Sequence, residues 1–204
     1  MNGDKLSVLM ARNSNVAVIF RRGPSKWYHV MKWDLHTDSI EHGSWFKGRI
    51  YEHVSDISND GKYLLYSVFQ GSRLGSSYTD SYTGLSLIPW LKALALWPQG
   101  STYLAGGVFV NDNTIAKWAL PFCQDLHAKH TDLRGFEIIN ATAKHQSKWH
   151  ENQNIIDHAD WSRLDHKGRT LWHKGYQLYV TVGDKTLMLK DFSKLKPEPL
   201  EAPY

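Results

Sequence analysis

The chain has a single cysteine, Cys123, among its 204 residues. One cysteine excludes an internal disulfide and any metal site built from several thiolates. Cys123 follows Leu120, Pro121 and Phe122, an apolar setting that predicts a buried small side chain rather than a reactive thiol. Because the sequence offers no disulfide, we expect a reducing compartment and therefore a cytoplasmic protein.

Long apolar runs are also missing. The first apolar patch, Leu6 to Ala11, contains a serine and is too short for the core of a signal peptide. The second, Leu85 to Trp97, contains Pro89 and Lys92 and falls well short of the roughly 20 apolar residues of a membrane helix. The sequence therefore predicts no membrane partner.

No stripe of one charge runs through the chain. The 24 Lys and Arg residues and the 20 Asp and Glu residues leave a net charge of +4. The densest basic spots are only Arg21–Arg22 and Lys144–Lys148, whereas nucleic-acid-binding proteins carry a denser basic surface. The charge pattern does not favour nucleic acid as the partner.

Aromatic residues, in contrast, are abundant. Nine Trp, ten Tyr and seven Phe accompany 42% hydrophobic and 22% charged residues, which is the composition of a folded domain. Large flat side chains suit pleated sheets and interfaces. We predict an all-β, mainly antiparallel fold with one or two short helices, the first candidate being residues 122–130. The β-rich domain spans residues 1–192, and a loosely ordered, proline-containing tail follows over residues 193–204.

Strand and turn signals alternate along much of the chain. Strands are predicted at residues 16–20, 27–35, 39–46, 106–110, 114–118, 135–139, 177–182 and 186–190. Turn formers separate them, among them Asn111–Asn113 and Gly183–Lys185. Four tryptophans inside strand patterns are predicted core residues: Trp33, Trp97, Trp161 and Trp172.

One phrase occurs twice. Residues 56–66 contain Asp-x-Ser, a turn ending in Gly61, and an apolar strand; residues 160–172 repeat the order around Gly168, with two extra residues in the turn. Turn chemistry explains these aspartates and glycines. The strand Lys62–Phe69 shows no alternation of polar and apolar residues, which predicts burial on both faces.

The phrases at residues 58–66 and 32–40 resemble blade motifs of β-propellers, including WD-repeat and related bacterial propellers. The resemblance implies a small or irregular β-propeller-like fold and carries no activity. A propeller blade spans about 40–45 residues, and the 107 residues from Gly61 to Gly168 are not a whole number of blades. A five-bladed propeller, an irregular propeller and a β-sandwich of similar hairpins stay open. The stretch Pro89–Pro98 is also similar to one in small uncharacterised bacterial proteins.

Motifs for catalysis are absent. The sequence has no Gly-x-Ser-x-Gly elbow, no phosphate-binding loop and no dinucleotide fingerprint. Seven of the eleven histidines lie between His127 and His173, but their spacing is not that of a zinc site. We therefore predict no catalytic residue, no metal and no cofactor, with a hydrolase using a histidine-based site as the alternative.

The stretch Gly71–Gly84 is rich in Gly, Ser, Thr and Tyr and predicts a long loop, with the working surface reaching to Trp90. Tyr, Trp and Arg dominate protein interfaces, so Arg73, Tyr78, Tyr82 and Trp90 are the predicted partner-binding residues. The sequence favours a non-enzymatic protein-interaction module. Its sharpest form is an immunity protein that occludes a partner toxin with a neutral or acidic contact surface. A propeller that binds carbohydrate or another small ligand is a further alternative.

Overall fold

The protein is described by a computed structural model, which covers residues 5–71, 80–99, 102, 105–118, 132–145 and 151–204. Within these ranges it is all-β: its strands form four sheets, and three short 3-10 turns are the only helical elements. No helix in the same ranges is long and apolar enough to cross a membrane. The predicted helix at residues 122–130 and the predicted burial of Cys123 lie outside the described residues.

The four sheets follow one another along the chain, and we name them A to D. Sheet A contains β1 (Leu6–Met10), β2 (Val16–Arg22), β3 (Trp27–Asp34) and β4 (Ile40–Lys47). Sheet B contains β5 (Arg49–Ile50), β6 (Asp56–Ile57), β7 (Tyr63–Phe69), β8 (Ser81–Leu87) and β9 (Ala93–Pro98). Sheet C contains β10 (Gly107–Phe109), β11 (Thr114–Lys117) and β12 (Glu137–Asn140). Sheet D contains β13 (Trp161–Leu164), β14 (Thr170–Lys174), β15 (Gln177–Val182) and β16 (Lys185–Asp191).

Strand pairing is antiparallel except between β11 and β12, which run parallel. Sheets A and D are meanders in which each strand pairs with the next along the chain. This arrangement follows from the short turns that the sequence places between β-branched and aromatic runs.

The sheets stack through their side chains in the order D, A, B, C. Sheet A has apolar side chains on both faces. Neighbouring residues of one strand point to opposite sides, so a continuous apolar run supplies both cores. Ile19 belongs to the core shared with sheet D, whereas Val18 and Phe20 belong to the core shared with sheet B. A third core, which includes Leu85 and Phe109, joins sheets B and C. Among the described residues, none of the three cores joins sheet C to sheet D.

Several sequence predictions are confirmed. The turns at Asn59–Gly61, Asn111–Asn113 and Gly183–Lys185 each connect paired antiparallel strands. Strand β7 is buried on both faces along most of its length. The four tryptophans predicted for the core are buried. The fold is all-β without a closed barrel in its described part, which fits a β-sandwich or an irregular β-fold.

The predicted loop Gly71–Gly84 is wrong over its last four residues, because Ser81–Leu87 forms the central strand β8 between β7 and β9. The Ser, Thr, Tyr and Gly residues that indicated a loop here have a packing role. Gly84 lies opposite Tyr66, and a Cβ atom at Gly84 would come within 2.4 Å of the Tyr66 ring. The glycine therefore makes room for an aromatic side chain across the strands.

The repeated phrase has the same turn in both copies but in a different register from the sequence match. Gly61 and Gly168 both have a φ of +73°, and their amides donate to the carbonyls of Ser58 and Asp165, respectively. By position in the turn, Asp165 therefore corresponds to Ser58. The sequence match instead pairs Ser58 with Ser162, because each ends an Asp-x-Ser. The aspartate that begins the first copy does not hold its turn, because Asp56 contacts sheets A and C instead.

Candidate functional site

An open groove of about 440 Å³ lies where the outer strand of sheet A meets sheet B. It is lined by residues of β4, by residues around β8 and β9, and by the C-terminal segment. These residues are Ser44, Trp45, Phe46, Gln70, Tyr82, Leu91, Lys92, Leu200, Glu201 and Ala202. We call this cavity the aromatic groove.

A bulge in β4 fixes one wall of the aromatic groove. Pairing of β3 with β4 shifts register between His29 and Met31, so that β4 carries one extra residue there. At this bulge the Ser44 amide donates to the Pro89 carbonyl at 3.2 Å, and the Ser44 hydroxyl accepts from the Leu91 amide at 2.9 Å. The connection between β8 and β9 is thereby held against sheet A.

Tyr82 forms the other wall. Its side chain is half-buried in β8 and packs against the core between sheets A and B. The ring meets that of Tyr66 edge-on, with centroids 6.5 Å apart. Tyr66 in turn donates its hydroxyl to the Leu91 carbonyl at 2.7 Å. Tyr82 is therefore supported by a rigid strand rather than by a loop.

The four predicted partner-binding residues have different locations. Tyr82 lines the aromatic groove. Trp90 is half-buried between β8 and β9, and its carbonyl accepts from the Ser86 hydroxyl at 2.6 Å. It is not among the residues that line the groove. Arg73 and Tyr78 lie outside the described residues.

The C-terminal segment, residues 193–204, borders the aromatic groove, and we call it the strap. Its Tyr204 hydroxyl donates to the Lys92 carbonyl at 2.7 Å and accepts from the Leu87 amide at 3.2 Å. The Lys92 ammonium lies 5.2 Å from the centroid of the same ring. Sequence reasoning missed this contact because a tail without periodicity gives no signal of where its aromatic residue packs.

A pair of histidines, which no sequence pattern predicts, lies next to Trp45. His29 is buried and stacks on Trp45, with ring centroids 4.1 Å apart and planes 14° apart. Its Nε2 lies 2.8 Å from Nδ1 of His42, and its Nδ1 lies 3.3 Å from the Ser44 carbonyl. Only the cross-strand pairing brings these two residues together.

The hydrogen bonds assign the tautomers of the pair. A carbonyl oxygen only accepts, so Nδ1 of His29 carries its proton and Nε2 accepts. His42 must then donate from Nδ1, which leaves its Nε2 unprotonated on an exposed side chain. The pair can therefore offer one hydrogen-bond acceptor to solvent.

Loss of solvation keeps both rings of the pair neutral. The pKa of His29 is lowered to about 3, chiefly by burial and also by the neighbouring His42 and Arg21, against the opposing hydrogen bond of the Ser44 carbonyl. Partial desolvation by its neighbours also lowers the pKa of His42, although its side chain stays exposed at one end, with a contribution from the charge of Lys190 and opposition from Glu198. Glu198 belongs to the strap, so the charge of the strap acts on this pair.

Polar side chains also link the first turns of all four sheets at one end of the molecule. These turns cover residues 11–16, 58–63, 110–114 and 165–169, and each is closed by a backbone hydrogen bond of 2.8–2.9 Å. The Asn13 amide donates to the Asn59 carbonyl at 2.9 Å, and the Asn59 side chain donates to Asp112 at 2.7 Å. Nε2 of His166 is hydrogen-bonded to the Ala11 carbonyl at 3.1 Å.

Asp56 is the buried centre of this turn cluster. Its fully buried carboxylate accepts from the Phe109 amide at 2.8 Å and from the Arg12 guanidinium at 3.2 Å. These contacts tie sheet B to sheets A and C. The cluster therefore explains how the sheets are joined, and its buried charge is paired as structural charges usually are.

The histidines of the region between His127 and His173 have separate neighbours where they are described. His145 bonds Thr142, His158 packs edge-on against Trp172, and His173 stacks on Trp161. His127, His130 and His150 lie outside the described residues. Across the described ranges, no three His, Cys, Asp or Glu residues are grouped to hold a metal ion.

Comparison with protein-family models, curated proteins and solved structures finds no significant match to this chain.

A second apolar surface lies on sheet D. Val182, Leu187 and Met188 are 58%, 63% and 48% exposed, respectively, at and near the edge strand β16. In the described part of the chain, this surface has no polar anchor comparable with the Lys92–Tyr204 contact. The aromatic groove is therefore the stronger candidate site.

Proposed function

We propose that the protein is a non-enzymatic protein-interaction module that binds its partner in the aromatic groove. The observation that carries this proposal is the grouping of Trp45, Phe46, Tyr82 and Lys92 around one open cavity. Aromatic side chains bury large areas at little entropic cost, and the charge of Lys92 supplies orientation. Rigid strands support two walls of the groove, which lowers the cost of ordering it on binding.

The sharpest form of this proposal is a cytoplasmic immunity protein that occludes a partner toxin. A net charge of +4 and an exposed Lys92 suit a partner with an acidic or neutral contact surface. The single cysteine supports a reducing compartment.

We also propose that the four sheets are blades of an irregular propeller. Support comes from the stacking order D, A, B, C and from the meeting of the four first turns at one end. In this arrangement the aromatic groove lies at the outer rim, between two neighbouring blades. We expect an experimental structure to show sheet C packed against sheet D.

Partner capture from the native host tests the interaction proposal. The tagged full-length protein is compared with Lys92→Glu, which reverses the groove's charge, and with Lys174→Glu, which makes the same change at an exposed position on sheet D. We expect mass spectrometry to find one partner with the wild type and Lys174→Glu, and a loss of at least tenfold with Lys92→Glu. Recovery of the protein alone, or equal capture by both variants, would contradict the proposal.

A further inference from the structure

The strap begins between sheets A and D. Phe192 is fully buried in the core shared by these sheets. Its carbonyl accepts from Nε of Arg21 at 2.9 Å, and the Ser193 carbonyl accepts from the same guanidinium at 3.3 Å. Arg21 is itself buried and lies over the Tyr176 ring at 4.8 Å. The start of the strap is therefore firmly anchored.

From there the strap crosses the outer strand of sheet A. Leu195 packs against the core of sheets A and D. Glu198 is close enough to His42 of β4 to act on its pKa. Leu200 and Glu201 line the aromatic groove, and Tyr204 bonds Leu87 and Lys92 of sheet B. The strap thus connects three sheets, borders the groove and ends at sheet B beside it.

The chemistry of the strap is that of a peptide ligand. Residues 197–204 read Pro-Glu-Pro-Leu-Glu-Ala-Pro-Tyr, and residues 195–204 form neither helix nor strand. Prolines restrict a chain to extended conformations before it binds, which is why aromatic grooves recognise such segments. Glu201 lines the groove together with Lys92 and is opposite to it in charge.

The contacts of the strap in the groove are few enough to be replaced. Leu200 is 37% exposed, and Glu198 and Glu201 are exposed as well. The groove keeps a volume of about 440 Å³ beside the strap. At the far end of the strap, the Tyr204 hydroxyl makes two hydrogen bonds. An external segment of the same chemistry could therefore take its place.

We propose that the strap is an internal ligand, and that the partner displaces it with an extended, acidic, proline-containing segment that carries a tyrosine. This inference rests on the proposed function, since it names the partner chemistry of the same groove. A tethered segment competes at an effective concentration of about millimolar. The strap would therefore weaken binding of partners that lack this chemistry and admit those that match it.

A synthetic peptide with the sequence of residues 197–204, labelled with fluorescein, is the probe. Its affinity is measured by fluorescence anisotropy for the full-length wild type, for Tyr204→Phe and for Tyr179→Phe. Tyr204→Phe keeps the ring but removes the two hydrogen bonds of the Tyr204 hydroxyl, with the Leu87 amide and the Lys92 carbonyl. Tyr179→Phe is the matched control, because it removes a hydroxyl bonded to Gln177 on sheet D.

We expect Tyr204→Phe to bind the peptide about tenfold more tightly than the wild type, because two hydrogen bonds no longer hold the competing strap. Tyr179→Phe should bind like the wild type. A peptide with both glutamates replaced by lysine should bind at least tenfold more weakly. Equal affinity of Tyr204→Phe and the wild type, or no binding by either, would overturn the inference.

Two further outcomes separate this inference from the proposed function. If Tyr204→Phe gains no affinity but Lys92→Glu still loses the captured partner, the strap is not the internal ligand and the groove still binds. A concentration-dependent dimer that dissociates in Tyr204→Phe, seen by analytical ultracentrifugation, would assign the groove to the strap of a second copy. That result would also overturn the inference.

Discussion

Individual histidines show how this fold controls charge in its interior. His29 and His173 are buried in the sheet-to-sheet cores, and burial lowers their pKa values to about 3 and about 4, respectively. Nearby Asp160 partly opposes the change at His173. Both rings are therefore neutral at pH 7, and the folded state excludes two protons that the unfolded chain would accept.

The stability of the protein should fall as the pH falls below about 6.5. Both pKa values are lowered in the folded state, so the unfolded chain binds more protons between pH 6.5 and the folded values. In this window, each histidine lowers the free energy of unfolding by about 1.4 kcal/mol for each pH unit that the pH falls. Urea unfolding at pH 7.5, 6.0 and 5.0 measures the slope.

The contribution of His29 can be isolated by substitution. His29→Gln cannot take up the proton, so its stability should depend less steeply on pH than that of the wild type. His53→Gln changes an exposed histidine and serves as the control. A slope that is the same in all three proteins would contradict the neutral, buried state assigned to His29.

Among the elements, strand β8 shows where sequence patterns are ambiguous. Its Ser, Thr, Tyr and Gly content is equally typical of contact loops, and only its partners β7 and β9 make it a central strand. Burial of Thr83 and the fit of Gly84 under Tyr66 depend on residues far away in the sequence. A pattern confined to β8 could not reveal them.

The hairpin turns, in contrast, follow from local chemistry. The Gly residues at the ends of Asn59-Asp60-Gly61 and Asp165-His166-Lys167-Gly168 adopt a positive φ, as their turn residues predict. What the sequence could not show is that the first turn packs against sheet A. A Cβ atom at Gly61 would lie 2.6 Å from Ser14 Oγ and Val16 Cβ, whereas one at Gly168 would meet nothing within 4 Å.

These two glycines provide a matched pair of substitutions. Gly168→Ala should lower the free energy of unfolding by about 1–2 kcal/mol through backbone strain alone. Gly61→Ala adds crowding against the turn of sheet A, for a total of about 2–4 kcal/mol. Chemical denaturation measures both values. An equal loss in the two variants would show that the turn at residues 58–63 does not pack against sheet A.

For the molecule as a whole, the sequence predicted the class of the fold better than its site. Alternating strands and turns predicted the all-β architecture, because hairpins are local structures. The aromatic groove joins residues from Ser44 to Ala202, and the histidine pair depends on a bulge between β3 and β4. Of the two predicted contact residues that the structure describes, Tyr82 lines the groove because of its place in sheet B, and Trp90 does not line it.

The central claim is that the aromatic groove binds an extended segment of the strap's chemistry. The Leu87 amide reports on this directly, because it donates to the Tyr204 hydroxyl. In ¹⁵N-labelled Tyr204→Phe we expect the Leu87 resonance to move from its wild-type position. Addition of the unlabelled peptide of residues 197–204 should return it, because the tyrosine of the peptide restores the hydrogen bond. An unchanged Leu87 resonance, with shifts confined to Leu187 and Met188 on β16, would contradict the account.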